Sequence, residues 1–261
     1  MNTFLDERKE KILQLLSGAE LVSVKELSRE LKVTEATIRT DLDTLVENGK
    51  VVRVHGGARI IENRLKQEYT YQTRKSLNFH QKKLIGEAAA ALINSNDSIL
   101  LDSSTTSLAM AQQLCKREGL KDVTIIPTGI WTAIELMGYN NFNVLLPGGY
   151  LRHTTGSITG LPTQDFFNGL IIQKAFLGAW GVSLEHGLTD THLLEIELKK
   201  AIVDKVKEII ILVDGSKFSQ SGLASYAPID RVSKIITDRI APRNEIEKIR
   251  SIGIEVIVAN H

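Results

Sequence analysis

A run of polar side chains directly after an apolar segment is the part of this sequence best suited to binding an anion. Residues 98–101 predict a buried strand, and the run that follows it consists of Asp102, Ser103, Ser104, Thr105 and Thr106. A helical pattern begins there, and hydroxyl groups with free backbone amides at a helix N-terminus bind phosphate without needing a lysine. These side chains would also cap the helix, but four successive hydroxyls after an aspartate favour an anion site.

Loops after other predicted strands carry further candidate ligand contacts. Gly148 and Gly149 follow one strand, where paired glycines either let the backbone approach a ligand or form a tight turn. A glycine-rich loop from Gly178 to Asp190, which includes Gly181, follows the next strand. Lys217 follows the most apolar strand, where it either contacts a ligand or is solvated.

A charged pair lies on the helix predicted after the glycine-rich loop. Glu195 and Lys199 are spaced i, i+4. They form either a surface ion pair, which contributes a few tenths of a kcal/mol, or two groups that point at a sugar. The sequence leaves both interpretations open.

These loops need a scaffold, and the larger part of the chain predicts one over residues 81–261. Seven mostly continuous apolar runs, typical of strands covered on both faces, alternate with helical stretches. The runs are Ser98 to Leu101, Val123 to Pro127, Phe142 to Leu146, Ala175 to Gly178, Ile209 to Asp214, Lys234 to Thr237 and Ile254 to Val258. This order predicts a doubly wound α/β domain, whose ligands bind at the carboxyl ends of the strands.

The N-terminal segment has a different pattern, of two short helices followed by a hairpin. Ser23 and Glu26 form a capping box that predicts a helix as far as Leu31. Thr34 begins a second helix that runs to Asn48. Apolar residues recur on one face of this helix, at Ile38, Leu42, Leu45 and Val46.

The outer face of the second helix suits contact with double-stranded DNA, because a recognition helix reads base edges with its N-terminal residues. The hairpin that follows predicts a basic wing with its turn at residues 55–57. A helical hairpin can also serve only for packing, and the attached wing favours DNA binding. We expect DNA contacts from Ser23, Thr34, Glu35, Ala36, Thr37, Arg39, Thr40, Arg53, His55, Gly56 and Gly57.

Positive charge is concentrated at the hairpin and just after it. Residues 48–83 hold nine basic and two acidic side chains, a net charge of +7, which leaves −6 for the rest of a chain whose net charge is +1. Such a basic region attracts nucleic acid. We therefore expect a DNA-binding domain at residues 1–61, a linker at residues 62–80, where periodicity is weak, and the α/β domain at residues 81–261.

The remaining composition narrows the class of protein. No segment has the apolar core of a signal peptide, and no apolar run approaches the roughly 18 residues of a membrane span, so we expect a cytoplasmic protein without a membrane partner. Cys115 is the only cysteine and lies in a helical pattern typical of a buried side chain. No Cys/His cluster has the spacing of metal ligands, and we expect neither a metal nor another cofactor.

The order of these motifs resembles the DeoR family of bacterial transcriptional regulators. The helix-hairpin segment and the motifs L-D-S-S-T-T, G-G, G-L-T, D-G-S-K-F and I-I-T-D follow one another as in that family, over about Asp6 to Val258. The resemblance implies a winged helix-turn-helix followed by a sensor domain related to ribose-phosphate isomerases and CoA transferases. It also implies a phosphorylated sugar or related metabolite as effector, and usually repression of a catabolic operon.

Individual residues carry this resemblance. The recognition helix and wing match at Thr34, Thr37, Ile38, Arg39, Asp41, Leu42, Arg53, His55, Gly56 and Gly57. The phosphate loop and the later lysine match at Asp102, Ser103, Thr105, Thr106 and Lys217. We expect effector contacts from these five residues and from Ser104, Thr128, Gly148, Gly149, Gly181, Glu195 and Lys199.

Three positions depart from the family's pattern. Thr40 stands where a second arginine is usual, Ser104 stands where the phosphate loop commonly has glycine, and Thr128-Gly129 stands where many members have Thr-Asn. The first departure bears on operator preference. The other two bear on which ligand is bound.

An enzyme is the main alternative function. Asp102, Glu195, Asp214 and Lys217 could supply acid–base chemistry on a sugar phosphate. A metabolic isomerase has no evident use for a winged helix, which favours a regulator, and a protein or RNA contact is a third interpretation of the helical hairpin. For a regulator we expect a homodimer or homotetramer that reads paired operator half-sites, with the effector shifting the sensor between arrangements.

Overall fold

The chain divides between His80 and Gln81 into two units, each with its own hydrophobic core or cores. The computed structural model describes residues 8–9, 11–13, 15–16, 22–47, 51–54, 56–60, 71–218 and 220–260. Part of the segment expected to be a linker, residues 62–70, lies outside these ranges. The rest of that segment is largely helical. It contains helix α3, Tyr71–Ser76, and the start of helix α4, Phe79–Ala90.

The first unit contains the predicted pair of helices and hairpin. Its elements in chain order are β1 (Val22–Ser23), α1 (Val24–Leu31), α2 (Glu35–Glu47), β2 (Val51–Val54) and β3 (Gly57–Ile60). The capping box at the start of α1 is present, since Ser23 Oγ accepts from the Glu26 amide and Glu26 Oε2 accepts from the Ser23 amide. The described residues between 8 and 16 are helical too, and Ile12 and Leu16 pack with Ile38 and Leu42.

The wing is a three-stranded antiparallel sheet in the order β1-β3-β2. Gly57, which we expected in the turn, instead begins strand β3 and pairs with Ser23. A Cβ atom at this position would lie 2.4 Å from the carbonyl oxygen of Val22, so the close approach of β1 requires glycine. The predicted turn residue His55 lies outside the described residues.

The second unit is built on a parallel sheet of seven strands, which confirms the predicted α/β class. All seven expected strands are present, with bounds that differ from the prediction by at most two residues. In chain order they are β4 (Ser98–Leu101), β5 (Val123–Pro127), β6 (Phe142–Val144), β9 (Lys174–Leu177), β12 (Glu208–Leu212), β14 (Lys234–Asp238) and β15 (Glu255–Ala259).

Both faces of this sheet are covered, and successive side chains belong to different cores. Leu100 and Ile211 pack in one core, whereas Leu101 and Ile210 pack in the other. The sheet is flanked by α4 and by α5 (Thr105–Leu114), α6 (Ile130–Leu136), α7 (Leu161–Phe166), α8 (Leu193–Lys205) and α9 (Arg243–Ser251). No helix in the described part of the chain has the length and apolar character that a membrane crossing requires.

The strand order places one crevice at the centre of the sheet. The order is β15-β14-β12-β9-β4-β5-β6, so the chain proceeds outwards from β4 in one direction and from β9 in the other. Ligands of open α/β sheets bind where the order reverses in this way, beyond the carboxyl ends of the strands. The loops after β4 and β9 therefore flank the expected binding crevice.

Short strands that the sequence did not predict surround the main sheet. The segment from Gly178 to Asp190 is not a plain loop, because it contains the hairpin of β10 (Gly181–Ser183) and β11 (Gly187–Asp190), which pairs with β13 (Ala224–Ala227). A second ladder joins β7 (Tyr150–Leu151) to β8 (Ile158–Thr159). Elements of two to four residues are too short to show a periodic pattern.

Candidate functional sites

The outer face of helix α2 is polar and accessible. Ala36, Arg39 and Thr40 are exposed, while Ile38 and Leu42 on the opposite face are fully buried. Thr34 begins the helix, since its Oγ1 accepts from the Thr37 amide and lies 2.9 Å from Thr37 Oγ1, and Glu35 pairs with Arg39 at 2.9 Å. An exposed i, i+4 pair contributes little, so a phosphate can replace Glu35 as the partner of Arg39.

A buried ion pair holds this helix from behind. Asp41 is almost fully buried and accepts two hydrogen bonds from Arg8, at 2.5 Å from Nε and 2.9 Å from Nη2. A bidentate arginine–carboxylate pair fixes geometry as well as charge. The sequence did not indicate this role for Arg8, because the two residues are 33 positions apart.

The expected DNA contacts outside α2 are partly engaged within the protein. Arg53 Nη1 donates to Asp43 Oδ1 at 2.8 Å, which ties the wing strand β2 to the recognition helix. The hydroxyl of Ser23 serves the capping box with Glu26. Gly56 adopts a left-handed φ of 80° in the turn of the wing, a conformation that favours glycine.

Asp102 organises the loop after strand β4 at the central crevice. Its Oδ1 accepts from the Ser104 amide and from Ser107 Oγ, at 3.0 Å and 2.6 Å, and its Oδ2 accepts from the Gly178 amide at 2.7 Å. Asp102 therefore joins the ends of β4 and β9. Burial alone would raise the pKa of Asp102, but the Lys199 ammonium and these hydrogen bonds outweigh it and hold the pKa below its usual value.

The hydroxyl run lies at the start of helix α5, as predicted. Ser104 caps the helix by accepting from the Ser107 amide at 3.1 Å. Ser103, Thr105 and Thr106 are buried at the same turn. The first amides of a helix point towards a bound anion, so this turn combines backbone and hydroxyl groups that suit phosphate.

Two glycines let neighbouring loops approach this turn. A Cβ atom on Gly178 would lie 2.7 Å from Ser104 Cβ, and one on Gly129 would lie 2.8 Å from Ser103 Cα. Such distances are shorter than real contacts allow. Gly129, which stands where the family often has asparagine, is therefore required by the packing of its loop against Ser103.

Lys199 is buried and is held by several partners. Its Nζ lies 2.7 Å from Asp190 Oδ2, 2.7 Å from the Gly178 carbonyl oxygen and 3.3 Å from Asp102 Oδ2. The ammonium also lies 5.1 Å from the centroid of the Tyr226 ring. Burial would lower the pKa of Lys199, but the Asp190 and Asp102 carboxylates hold it above its usual value, so the lysine stays charged.

Glu195 belongs to a separate buried group on the same helix. Its Oε1 accepts from Arg152 Nη1 at 2.8 Å and from Ser157 Oγ, and Ser103 Oγ lies 3.5 Å from its Oε2. Glu195 and Lys199 are both buried, so the interpretation as a surface ion pair is wrong. Each contacts the loop after β4 at a different residue, Glu195 near Ser103 and Lys199 beside Asp102.

The sequence patterns did not indicate five further members of these groups, namely Arg152, Ser157, Ser107, Asp190 and Tyr226. Arg152 follows the predicted glycine pair and Asp190 ends the glycine-rich segment, but nothing local to either residue indicates a buried partner. Their roles depend on which loops meet at the crevice.

The other expected effector residues have diverse environments. Thr128 is buried beside β4, where its amide donates to the Leu101 carbonyl oxygen at 2.9 Å. Lys217 Nζ lies 5.0 Å from the centroid of the Trp180 ring. Gly149 and Gly181 are required by packing, since Cβ atoms there would lie 2.1 Å from Thr163 Oγ1 and 2.0 Å from the Gln220 carbonyl oxygen, whereas a Cβ on Gly148 would meet open space.

Comparison with known families matches both units. Residues 8–64 match the DeoR-like helix-turn-helix domain, and residues 77–239 match the DeoR C-terminal sensor domain. These two matches cover most of the chain.

Individual proteins show the same relationship along the whole chain. The HTH-type transcriptional regulator GolR of Listeria innocua is 33% identical over 97% of this chain and 98% of its own length. A putative aga operon transcriptional repressor of Escherichia coli O157:H7 is 31% identical over 98% of this chain and 94% of its own. Among solved structures, ribose 5-phosphate isomerase A of Methanocaldococcus jannaschii is 20% identical over 54% of this chain and 55% of its own, with a TM-score of 0.41.

The relatives named above are transcriptional regulators. The chain thus carries a DNA-binding domain followed by a domain that senses a small-molecule effector. With both domains matched in order, the chain belongs to the DeoR family of transcriptional regulators.

Proposed function

We propose that this regulator represses a carbohydrate-utilisation operon and that a phosphorylated sugar, or a metabolite derived from one, controls its binding to the operator. The loop from Asp102 to Thr106 carries the proposal. It places hydroxyls and helix-terminal amides beyond the carboxyl end of β4, at the reversal of strand order. Repression rather than activation is supported by the relative named as a putative aga operon transcriptional repressor.

The proposed effector site extends from this loop to the groups around it. The phosphate would bind at Ser103, Ser104, Thr105 and Thr106. The pair of Glu195 and Arg152 and the pair of Lys199 and Asp190 would lie beside it. A carboxylate beside the phosphate suits the hydroxyl groups of a sugar, because charge-assisted hydrogen bonds are the stronger ones. Gly148, Gly149, Gly181, Thr128 and Lys217 complete the proposed surroundings.

The proposed DNA contacts are the exposed residues of α2 and the wing. Arg39, Thr40 and Ala36 would face base edges or phosphates, and Thr37 and Arg53 would lie beside them. Operators of helix-turn-helix dimers carry two half-sites about one helical turn, roughly 34 Å, or a multiple of it, apart. We therefore propose an even-numbered homo-oligomer that binds paired half-sites.

The experiment that tests this function first selects DNA fragments bound by the full-length protein from a random library. Anisotropy of the selected duplex then measures its affinity in the presence of sugar phosphates, the corresponding free sugars and inorganic phosphate. We expect at least one sugar phosphate to change the affinity while its free sugar does not. A response to free sugars alone would contradict the phosphate assignment, and failure to select any duplex would contradict operator binding.

A further inference from the structure

Exposed apolar side chains are concentrated in one stretch of the sensor unit. Of the sixteen large apolar side chains that are exposed in the described part of the chain, nine lie within residues 131–161. Residues 131–161 make up about an eighth of the chain, so this share is far above an even distribution. We call the exposed apolar side chains of residues 131–161 the edge patch.

The elements that carry the edge patch contact one another. Trp131, Ile134 and Met137 lie on one side of helix α6 and at its end, and the ring of Tyr139 lies 6.4 Å from that of Phe142 in strand β6. A Cβ on Gly156 would lie 2.4 Å from Trp131 Nε1, which places α6 against the turn between β7 and β8. The patch therefore runs from α6 to the β7–β8 ladder.

A sheet edge lies within this patch. Strand β6 is the last strand of the seven-stranded sheet, next to β5, and the exposed Leu145 and Leu146 follow it directly. An edge strand presents backbone groups that can pair with a strand of another chain. Tyr150 and Leu151 of β7 extend the apolar surface beyond it, with 61% and 51% of each residue exposed.

The area of the patch matches one side of a stable protein interface. Its nine side chains are exposed by between 38% and 78%. At about 150–200 Å² for each large apolar side chain, they present on the order of 800 Å². This summed area is of the same order as the about 800 Å² that each partner buries in an interface of standard size.

The charge of the patch favours an identical partner. Residues 131–161 contain only two permanently charged side chains, Glu135 and Arg152, whereas 24% of the chain is charged. Arg152 is buried, and Glu135 accepts a hydrogen bond from Gln112. Two copies of such a surface can meet across a two-fold axis without opposing like charges.

We propose that the edge patch is the surface through which two copies of this chain associate, by packing α6, the edge of β6 and β7 against the same elements of the second copy. The choice of a second copy rests in part on the proposed operator binding, since paired half-sites require paired recognition helices. Measurement of the oligomeric state needs neither operator nor effector, so it tests this surface separately from the proposed function.

The test is sedimentation velocity of the full-length protein over a wide dilution series. We expect the wild type to associate, and the double variant Ile134→Asp with Met137→Asp to dissociate on the order of a hundredfold more readily, because carboxylates would replace central apolar anchors on both copies. The matched control is Ile171→Asp, since Ile171 lies outside the patch and is 78% exposed, as is Met137. This control should associate as the wild type does.

Three results would overturn the proposal: a wild type that is monomeric throughout, a double variant that associates normally, or a control that dissociates equally. Hydrogen–deuterium exchange of the wild type provides a measurement without substitutions. The amides of residues 142–146 should exchange more slowly in concentrated than in dilute protein. If the protection of these amides does not change with concentration, they are protected within a single chain, and this result would also contradict the proposal.

Discussion

The ammonium of Lys199 lies 3.3 Å from the carboxylate of Asp102, and this ion pair ties helix α8 to the end of strand β4. Because Asp102 also accepts hydrogen bonds from the start of α5 and from the residue after β9, one buried pair connects four elements around the crevice. The same lysine reaches Asp190 at the end of β11. The proposed effector site therefore depends on a charge network that must stay intact.

Replacing Lys199 with Met should destabilise the protein by about 3–5 kcal/mol, because it leaves the buried carboxylates of Asp102 and Asp190 without their cation. Urea denaturation followed by circular dichroism measures the change. The matched control is Lys200→Met on the same helix, where Lys200 is exposed and its loss should change the free energy of unfolding by less than about 0.5 kcal/mol. Equal losses in the two variants would contradict the role of the buried network.

Asp102 should make the acid stability of the sensor depend on pH. Its pKa is held below the usual value of 3.8 in the folded protein, so its contribution is fully present above the unfolded value and is lost as the pH falls through the folded value. The difference in free energy of unfolding between the wild type and Asp102→Asn should therefore be constant above about pH 5. It should shrink below about pH 4, and a difference that grows on acidification would contradict the ion pair.

Replacing Arg39 with Ala should weaken binding to the selected operator. If Arg39 contacts a base, the loss should be about 1–3 kcal/mol. If Arg39 contacts a phosphate, the slope of log affinity against log salt concentration should decrease in magnitude by about one. Effector binding, measured as a thermal shift with the active sugar phosphate, should not change. Arg29→Ala is the control, because Arg29 is an exposed arginine on α1 outside the proposed contacts. Loss of both activities in the Arg39 variant would indicate misfolding instead.

Replacing Thr105 and Thr106 together with Val should abolish the response of DNA binding to sugar phosphate while leaving the operator affinity itself unchanged. Valine keeps the shape of threonine but removes the hydroxyls that we assign to the phosphate. Anisotropy titrations with and without the effector measure both properties. Thr124→Val is the control, because Thr124 lies near the start of β5 and so at the opposite end of the strand from the proposed site. An unaltered response in the Thr105/Thr106 variant would remove this loop from the effector site.

Two fully buried threonines should respond in opposite directions to the same substitution. Among the residues that the structure describes, none offers a hydrogen-bond partner to Thr237 Oγ1, whereas Thr163 Oγ1 donates to the Gly148 carbonyl oxygen at 2.8 Å. Thr237→Val should raise the free energy of unfolding by about 1 kcal/mol, since a buried unsatisfied hydroxyl is costly. Thr163→Val should lower it by about 1 kcal/mol.

Chemical denaturation of the two variants under identical conditions measures this contrast. Both threonines are fully buried, so the loss of the same hydroxyl from similar environments isolates the hydrogen bond. A destabilised Thr237→Val would show that its hydroxyl has a partner in solution, such as a bound water.

Local patterns in the sequence were sufficient for the longer helices and strands. The capping box of Ser23 and Glu26, the apolar face of α2 and the seven apolar strands all depend on residues a few positions apart. The position of the hydroxyl run after β4 followed as well, because the carboxyl end of a strand and the start of the next helix are adjacent in the chain. The shortest strands, such as β10 and β11, were missed because they show no period.

The partners of the buried charges were decided by the tertiary structure. Asp41 and Arg8 are 33 positions apart, and Ser103 and Glu195 are 92 positions apart, so no spacing rule connects them. The i, i+4 spacing of Glu195 and Lys199 even suggested a surface pair that does not form, because both residues lie on the buried face of α8 and each side chain meets a different loop.

The sequence by itself thus determined the longer helices and strands and the position of the hydroxyl run after β4, since those properties depend on neighbouring residues. The strand order alone placed Gly178 beside Asp102 and left strand β6 at an edge. Pairing between distant strands depends on the packing of the whole sheet, and that packing decides which charges are neutralised and which apolar surface remains exposed.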